Sequence, residues 1–403
     1  MNSPLKDAQI VVADDQDDVA KTLCRPLAAA GAHLRYVTDG KAALDQISRG
    51  DVDLVLIDMK MPPGDMGGIW LLTEMRAGGW TTPAVILSGE GTPRLHQQGQ
   101  RAGAKDWIDK NAEDDDVVHI CEGVLGELLD QSLESAAHLL PTPVAWRFHR
   151  YWQRTDPEKR VLEGLHTLEA ILHLAAMVGL ATTPPTTRAG INAGQMHLPS
   201  MGKWRDLCRA LADAPGAGAP VQRIWNALRT DEDYVNTLVD SRRGIQHDNE
   251  TTDIVDGDRF DRLLRRTAHR MLTAWRCTIA LATWLTYDGS EFDAHVLQVR
   301  GINATAPATI RTREPLVTGE LFLLSAAGED PQPLSPWLIG AHSADPAALR
   351  LLWVDGRDRG KLNLGTPLKY AKADGATGKP LDPGHRAGTW EAVLPWLGQA
   401  ETP

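Results

Sequence analysis

Cysteine is too scarce in this chain to hold anything together. The four present, Cys24, Cys121, Cys208 and Cys277, lie far apart with no CxxC spacing. Neither a zinc cluster nor a disulfide framework is signalled, and the chain reads as one from a reducing cytoplasm. Positive charge is in deficit as well: 42 Lys and Arg against 53 Asp and Glu leave a net charge of -11. That excludes a protein whose whole surface grips nucleic acid and leaves room only for a local basic stripe. The N-terminus, Met-Asn-Ser-Pro-Leu-Lys-Asp, has no apolar stretch of the export type, and no uncharged apolar run comes near the length of a bilayer span. No membrane partner is expected, and the expected localisation is cytoplasmic.

What is present is enough for several cores. A chain of 403 residues exceeds what one hydrophobic core usually serves, so two or three domains are expected. In the first third, short apolar runs alternate with amphipathic segments. Ile10 to Ala13 reads as a strand ending in Asp14-Asp15, Val19 to Ala30 as a helix, and His33 to Val37 as a strand. Asp39-Gly40 is a turn before a helix from Lys41 to Ser48. Leu54 to Ile57 is apolar throughout, the pattern of a strand buried on both faces, and it delivers Asp58 to the start of a Gly-rich loop. A helix over Ile69 to Arg76, a strand over Ala84 to Leu87, a helix reaching Ala102 and a short strand at Trp107-Ile108 follow. Five strands alternating with helices predict an α/β doubly wound, flavodoxin-like fold with a parallel sheet covered on both faces.

In such a sheet ligands sit beyond the carboxyl ends of the strands. The residues there are Asp14, Asp15, Asp58, Ser88 and Lys110. Three converging carboxylates repel one another unless a hard cation joins them, and oxygen ligands of this kind suit Mg²⁺.

Residues 8–125 resemble the receiver domain of bacterial two-component response regulators. The resemblance rests on Val-Val-Ala-Asp-Asp at 11–15, Leu-Ile-Asp-Met-Lys-Met-Pro at 56–62, Ile-Leu-Ser-Gly-Glu at 86–90 and Gly-Ala-Lys-Asp-Trp-Ile-Asp-Lys at 103–110. It implies that Asp58 accepts a phosphoryl group from a sensor histidine kinase or phosphotransfer protein. It also implies that Asp14, Asp15, Asp58 and the backbone carbonyl of Lys60 place Mg²⁺, that Lys110 supplies positive charge, and that Ser88 and Trp107 are the switch pair. Two departures stand out: Asn111 occupies the place of a proline usually preceded by a cis bond, and the loop from Pro62 to Gly68 is one or two residues longer than usual.

The receiver is assigned to 1–125 and a helical connector to 126–143. An all-α domain over 144–288 and a small β or α+β domain over 289–403 complete the expected organisation. In the middle domain, Val161, Leu165, Leu168, Leu172 and Ala175 mark one helix face, helices open at Met201 and Val221, another precedes Ser241, and a long helix is expected from Arg259 to Thr286. Its arginines Arg259, Arg262, Arg265, Arg266 and Arg270 read as a solvated stripe.

The stretch Val239 to His247 carries Arg242 and His247 at Arg-x4-His spacing, a weak signal alone, since Arg160/His166 and Arg262/His269 fit a relaxed form of it. With the segment Leu198-Pro199-Ser200-Met201-Gly202-x-Trp204 and the flanking long helices, it resembles the HEPN superfamily of helical domains. That resemblance implies a homodimer. It admits two outputs: a non-catalytic interaction module, or a receiver-gated, metal-independent endoribonuclease using Arg242 and His247, with RNA as its ligand. Arg243 stands where such enzymes commonly carry Asn or Asp. No DNA-binding motif is visible. In the last domain Glu291 to Val299, Leu316 to Leu324, Leu351 to Val354 and Leu364 to Ala371 read as extended, and His342 and His385 stand alone.

Overall fold

The computed structural model describes residues 3–89, 93–185, 200–247, 251–302, 306–325, 331–341, 349–357, 365–373, 381, 383 and 386–396. Contacts divide the chain into two compact units, the first formed by Met1–Leu133, Asn226–Thr230 and Arg262–Ala274, the second by the remainder.

The first unit is built on strands β1 (Gln9–Ala13), β2 (His33–Val37), β3 (Leu54–Asp58), β4 (Ala84–Ser88) and β5 (Asp106–Asp109). They form one sheet in the order β2-β1-β3-β4-β5, every pairing parallel. This is the doubly wound arrangement expected from the alternation. Between the strands run α1 (Asp17–Ala29), α2 (Gly40–Ile47), α3 (Gly67–Ala77) and α4 (Pro93–Ala102), with α5 (Asp114–Leu139) after β5. Helix α2 starts where the sequence turns: Asp39 Oδ1 accepts the Ala42 N–H at 2.9 Å, an N-cap that satisfies one of the free amides of the first turn. All five residues of β3 and of β4 are buried. Even-numbered β1 residues face the core layer with α1 and α5, while odd-numbered ones face the layer with α2 and α3.

The first unit holds a feature that the sequence does not announce. The long helix α11 (Gly257–Ala274) contributes its C-terminal part, and its arginines are not a solvated stripe. Arg266 and Arg270 are buried. Arg270 grips Asp53, at the start of β3, through Nε–Oδ1 at 2.8 Å and Nη2–Oδ2 at 2.7 Å. Its Nη1 reaches Thr230 Oγ1 at 2.6 Å and the Ala227 carbonyl at 3.2 Å. The Gln9 N–H donates to Asp53 Oδ2 at 2.8 Å. Arg266 donates to the backbone carbonyls of Pro4 and Lys6. Thr81 and Thr273 share a 2.8 Å hydrogen bond. Of the expected stripe, Arg259 alone is exposed, and its guanidinium lies over the Tyr234 ring, 3.9 Å from the centroid.

The helix also ends earlier than expected. It stops at Ala274, and Cys277–Tyr287 is a strand, β6. Thr278, Ile279, Thr283 and Thr286 are β-branched residues that favour an extended, half-buried surface, and periodicity alone does not separate such a run from a helix.

The second unit carries α6 (Thr142–Gln153), α7 (Pro157–Thr182), α8 (Met201–Ala212), α9 (Ala219–Arg229, its last residues in the first unit) and α10 (Glu232–His247). Helix α7 is long and apolar enough to cross a membrane by length and composition, though Glu169 interrupts its apolar run, and 83% of its most apolar window is buried within the protein. It is a core helix.

The β-rich end is not a separate compact body; it belongs to the same unit as these helices. Its strands β7 (Phe292–Gln298), β8 (Ala306–Thr312), β9 (Leu321–Ser325) and β10 (Gln332–Pro333) join β6 in an antiparallel sheet of order β10-β9-β6-β7-β8. A second sheet has the order β11 (Leu338–Ala341), β12 (Arg350–Arg357), β13 (Leu368–Lys372). The join is aromatic. His173 of α7 lies between Trp204 of α8 and Trp353 of β12, with ring centroids 3.9 and 4.0 Å away, and its Nε2 is 2.7 Å from the Val354 carbonyl oxygen. Burial pulls the His173 pKa down to about 3, so the ring stays neutral and packs as an aromatic. The expected short element at the C-terminus is a 3₁₀ helix, Trp390–Trp396. His342 and His385 lie outside the described residues.

The Asp53–Arg270 pair yields a stability prediction. Desolvation alone would raise the Asp53 pKa, but the Arg270 and Arg266 charges and the hydrogen bonds hold it below the usual carboxylate range. The stability this contributes is present above the unfolded carboxylate value and is lost as pH falls through the folded one. Arg270→Ala, which leaves the buried Asp53 with only the more distant Arg266 at 3.7 Å and the Gln9 amide, is expected to cost about 3–5 kcal/mol, read as a lower urea midpoint. The Asp53→Asn/Arg270→Met double substitution is expected to recover much of that loss.

Candidate functional site

The site lies at the carboxyl ends of β1, β3, β4 and β5. Asp14 directly follows β1, Asp58 ends β3, Ser88 ends β4 and Lys110 directly follows β5. Register does the positioning: Ala13 pairs with Ile57, Asp58 with Leu87, and Ser88 with Asp109. Asp14 and Asp58 are 2% and 4% exposed, so this is a sunken carboxylate pair, with Asp15 at the solvent edge.

One ammonium serves both buried acids. Lys110 Nζ is 2.7 Å from Asp14 Oδ2 and 3.1 Å from Asp58 Oδ1. Asp14 Oδ1 is held by the Gln16 N–H at 2.8 Å. Carboxylate oxygens of Asp14, Asp15 and Asp58 lie within 4.8 Å of one another. Three carboxylates against one ammonium leave an excess of negative charge. The Asp58 pKa records it: burial pushes it up, Asp14 and Asp15 push it further, and Lys110 opposes without prevailing. For Lys110, burial works against the charged form, but its hydrogen bonds and attraction to Asp14 and Asp58 outweigh it and raise the pKa. Hard oxygen donors in surplus are what a Mg²⁺-sized cation takes, so this donor set fits a divalent metal. Lys60 lies two residues beyond β3, where the chain leaves the sheet.

Glycine lets the backbone close on the site. A Cβ on Gly68, at the start of α3, would sit 2.5 Å from the Asp58 carbonyl oxygen, and one on Gly67 would sit 2.2 Å from that of Met61. Any side chain there would push α3 away from the end of β3. The longer loop contains a cis Pro62–Pro63 bond. The Lys110–Asn111 bond is not among the cis bonds. Asp109 Oδ1 instead accepts from the Asn111 backbone N–H at 2.8 Å and its side-chain amide at 3.0 Å, closing the turn without proline.

Ser88 is buried at the rim of this cluster. Trp107, one strand over in β5, is half-buried, and its ring lies against His96 of α4 with centroids 4.0 Å apart. Gly99 of α4 makes room for the Ile86 side chain of β4: a Cβ there would come within 2.2 Å of Ile86 Cδ1. His96 is the neighbour that sequence reading missed. Nothing in the residue order pairs a helix histidine with a strand tryptophan eleven positions on.

The other predicted pair, Arg242 and His247, belongs to the second unit. Arg242 of α10 is buried, and its Nη2 is 3.0 Å from Glu169 Oε2 of α7. His247 is the last residue of α10, and its side chain lies outside the described residues.

Comparison with known proteins bears on the acidic site. Residues 10–122 match the response regulator receiver domain family. The regulatory protein AtoC of Escherichia coli (strain K12) is 29% identical over 117 residues, covering 29% of this chain and 25% of that protein. The swarming motility regulation protein RssB of Serratia marcescens is 33% identical over 101 residues, 25% of this chain and 45% of that protein. The transcriptional regulatory protein FixJ of Azorhizobium caulinodans is 28% identical over 154 residues, 38% and 69% of the respective chains. The chain thus spans a quarter of AtoC and under half of RssB. Among solved structures, the receiver domain of NtrX from Brucella abortus is 28% identical with a TM-score of 0.28, covering 29% of this chain and 98% of that one.

The charge imbalance sets a pH signature. Asp58 holds its proton more tightly in the folded than in the unfolded chain, so ionising it costs native stability. The cost is absent below the unfolded carboxylate range, about pH 4, and full above the folded pKa. Metal-free Asp58→Asn is expected to melt above the wild type at pH 7, with the gap closing as pH falls toward about 4; equal melting at neutral pH would contradict the assignment.

Proposed function

We propose that this chain, whose residues 10–122 are a response regulator receiver domain, is a two-component response regulator phosphorylated on Asp58. The observation that carries the reading is Asp58 buried at the end of β3, with Lys110 and two further carboxylates around it.

The reaction follows from that geometry. An Asp58 carboxylate oxygen attacks phosphorus, the new O–P bond forms as the bond to the donor breaks, and the product is an acyl phosphate. The donor is the phosphohistidine of a sensor histidine kinase or phosphotransfer protein. Lys110 supplies positive charge toward the transferring group, where phosphoryl transfer depends mainly on positioning and charge neutralisation. Mg²⁺, held by Asp14, Asp15, Asp58 and the Lys60 carbonyl, would supply the remaining neutralisation. Ser88 and Trp107 serve as the switch, Ser88 turning toward the phosphoryl oxygen and Trp107 following it inward.

The output is read as a HEPN-like helical module that acts by changed self-association or partner contact. The ion pair between Arg242 and Glu169 supports this over the ribonuclease reading, because a guanidinium already bound to a carboxylate is not free to hold a scissile phosphate. One experiment covers both. With acetyl phosphate and Mg²⁺, the wild type is expected to show a retarded Phos-tag band that Asp58→Asn lacks; an unshifted wild type sinks the main claim. Single-stranded RNA incubated in parallel is expected to stay intact, and cleavage abolished by His247→Ala would replace the interaction module with the endoribonuclease.

A further inference from the structure

The antiparallel sheet of the second unit ends on β8, and that edge is open. The order β10-β9-β6-β7-β8 puts β8 last, so among the described residues no strand meets its outer side. The ladder fixes which backbone groups point there. The Asp288 N–H donates to the Glu291 carbonyl at 3.1 Å and the Val299 N–H to the Ile279 carbonyl at 2.7 Å, so odd-numbered residues along β7 turn their amides toward β6. Hydrogen-bonded and non-hydrogen-bonded positions alternate along an antiparallel pair. The even-numbered residues of β7 therefore bond β8, through its own even-numbered residues. That leaves the N–H and C=O of Thr309 and Arg311 directed outward, with the carbonyl of Pro307 beside them. An outward position on an edge strand is where proline costs the ladder nothing.

The face beside this edge comes from the same alternation. Register sets Trp284, His295 and Thr309 in one cross-strand row and Thr286, Asp293 and Arg311 in the next. Trp284 is 53% exposed, and its ring lies flat on that of His295, centroids 4.0 Å apart and planes 4° from parallel. His295 Nδ1 is 3.2 Å from Thr309 Oγ1, which orients the imidazole. In the second row Arg311 is one cation among three carboxylates. It pairs with Asp288, and its Nε is 3.2 Å from Asp293 Oδ1 and 3.6 Å from Glu291 Oε2, the last too long for a direct hydrogen bond. Asp288 is also committed to the hairpin turn, accepting the Ser290 and Glu291 N–H groups at 2.9 and 3.0 Å. Glu291 and Asp293 thus keep negative charge next to an exposed ring and an open strand edge.

We propose that β8 is a docking edge for an extended basic peptide segment of a partner protein. The partner strand pairs with the outward backbone groups of Thr309 and Arg311. An arginine or lysine opposite Thr309 lays its side chain across that small residue toward His295 and Trp284, with Asp293 in the adjacent row. Backbone pairing supplies the attachment, and the aromatic face with its carboxylates selects a cation. The acidic surplus repels a phosphate backbone, and it disfavours a second copy of this chain, whose identical edge would bring like charges together.

The test is fluorescence anisotropy of the full chain with a fluorescein-labelled, amidated heptapeptide, Thr-Val-Thr-Arg-Thr-Val-Thr, and with its counterpart carrying glutamate in place of arginine. The arginine peptide is expected to bind at least about tenfold more tightly. The chain carries a net charge of -11, so variants separate this edge from general attraction. Thr309→Pro removes an outward N–H and spares the β7 ladder; it is expected to weaken binding about fivefold or more, with an unchanged circular dichroism spectrum. Trp284→Ala, at an exposed position, is expected to weaken it about threefold, and Glu291→Gln/Asp293→Asn to reduce the preference for arginine over glutamate by at least as much. No saturable binding, equal binding of the two peptides, or binding indifferent to both Thr309→Pro and Trp284→Ala overturns the proposal. So does a dimer in sedimentation that Thr309→Pro dissociates, which would assign the edge to a second copy.

Discussion

A carboxylate at the end of a strand buried on both faces is costly unless a cation meets it, and β3 has one at each end. Asp53 precedes it and Asp58 closes it, five residues apart on the same extended segment. At the first end the charge is matched: the Arg270 fork, Arg266 and the Gln9 amide converge on Asp53 and hold its pKa low. At the second end the charge is mismatched: Lys110 is shared between Asp14 and Asp58, and the Asp58 pKa stays high. One element thus carries a charge-matched carboxylate at one end and a charge-mismatched one at the other. What separates them is the balance of nearby cations, since both are buried.

The Asp58 end is legible in the residue order and the Asp53 end is not, for a physical reason. In a parallel sheet every strand ends on the same side, so an acid or lysine placed just after an apolar run is brought to one edge whatever the loops do. Asp14, Asp58, Ser88 and Lys110 could therefore be assembled from the alternation alone. The partner of Asp53 lies 217 positions away, on a helix whose arginines look solvated by spacing. No local period shows which face of such a helix will find a buried carboxylate. The helix end at Ala274 was misread for a related reason, because a short apolar run satisfies strand and helix alike until its neighbours are known.

The same limit explains the β-rich end. A boundary near residue 288 follows from the change in composition, yet His173 stacks between tryptophans of a helix and of a strand far beyond that boundary. Such a sandwich needs a neutral ring, and burial supplies one. A histidine alone in an apolar helix signals core packing more often than chemistry, and here its partners, Trp204 and Trp353, decide it.

Charge balance within burial then sorts the remaining polar clusters without reference to motifs. Tyr151, Asp261 and Arg160 close on one another, one carboxylate with one guanidinium and one hydroxyl, and such a set is complete without a ligand. Asp53 with its arginines is satisfied by partners from the chain itself. One buried cluster among the described residues is left out of balance, the acidic one at the sheet edge, where three carboxylates face the Lys110 ammonium. Holding like charges together in a partly dry environment is costly unless something of opposite sign enters. A fold that maintains such an arrangement therefore points to its ligands by what its own side chains fail to neutralise.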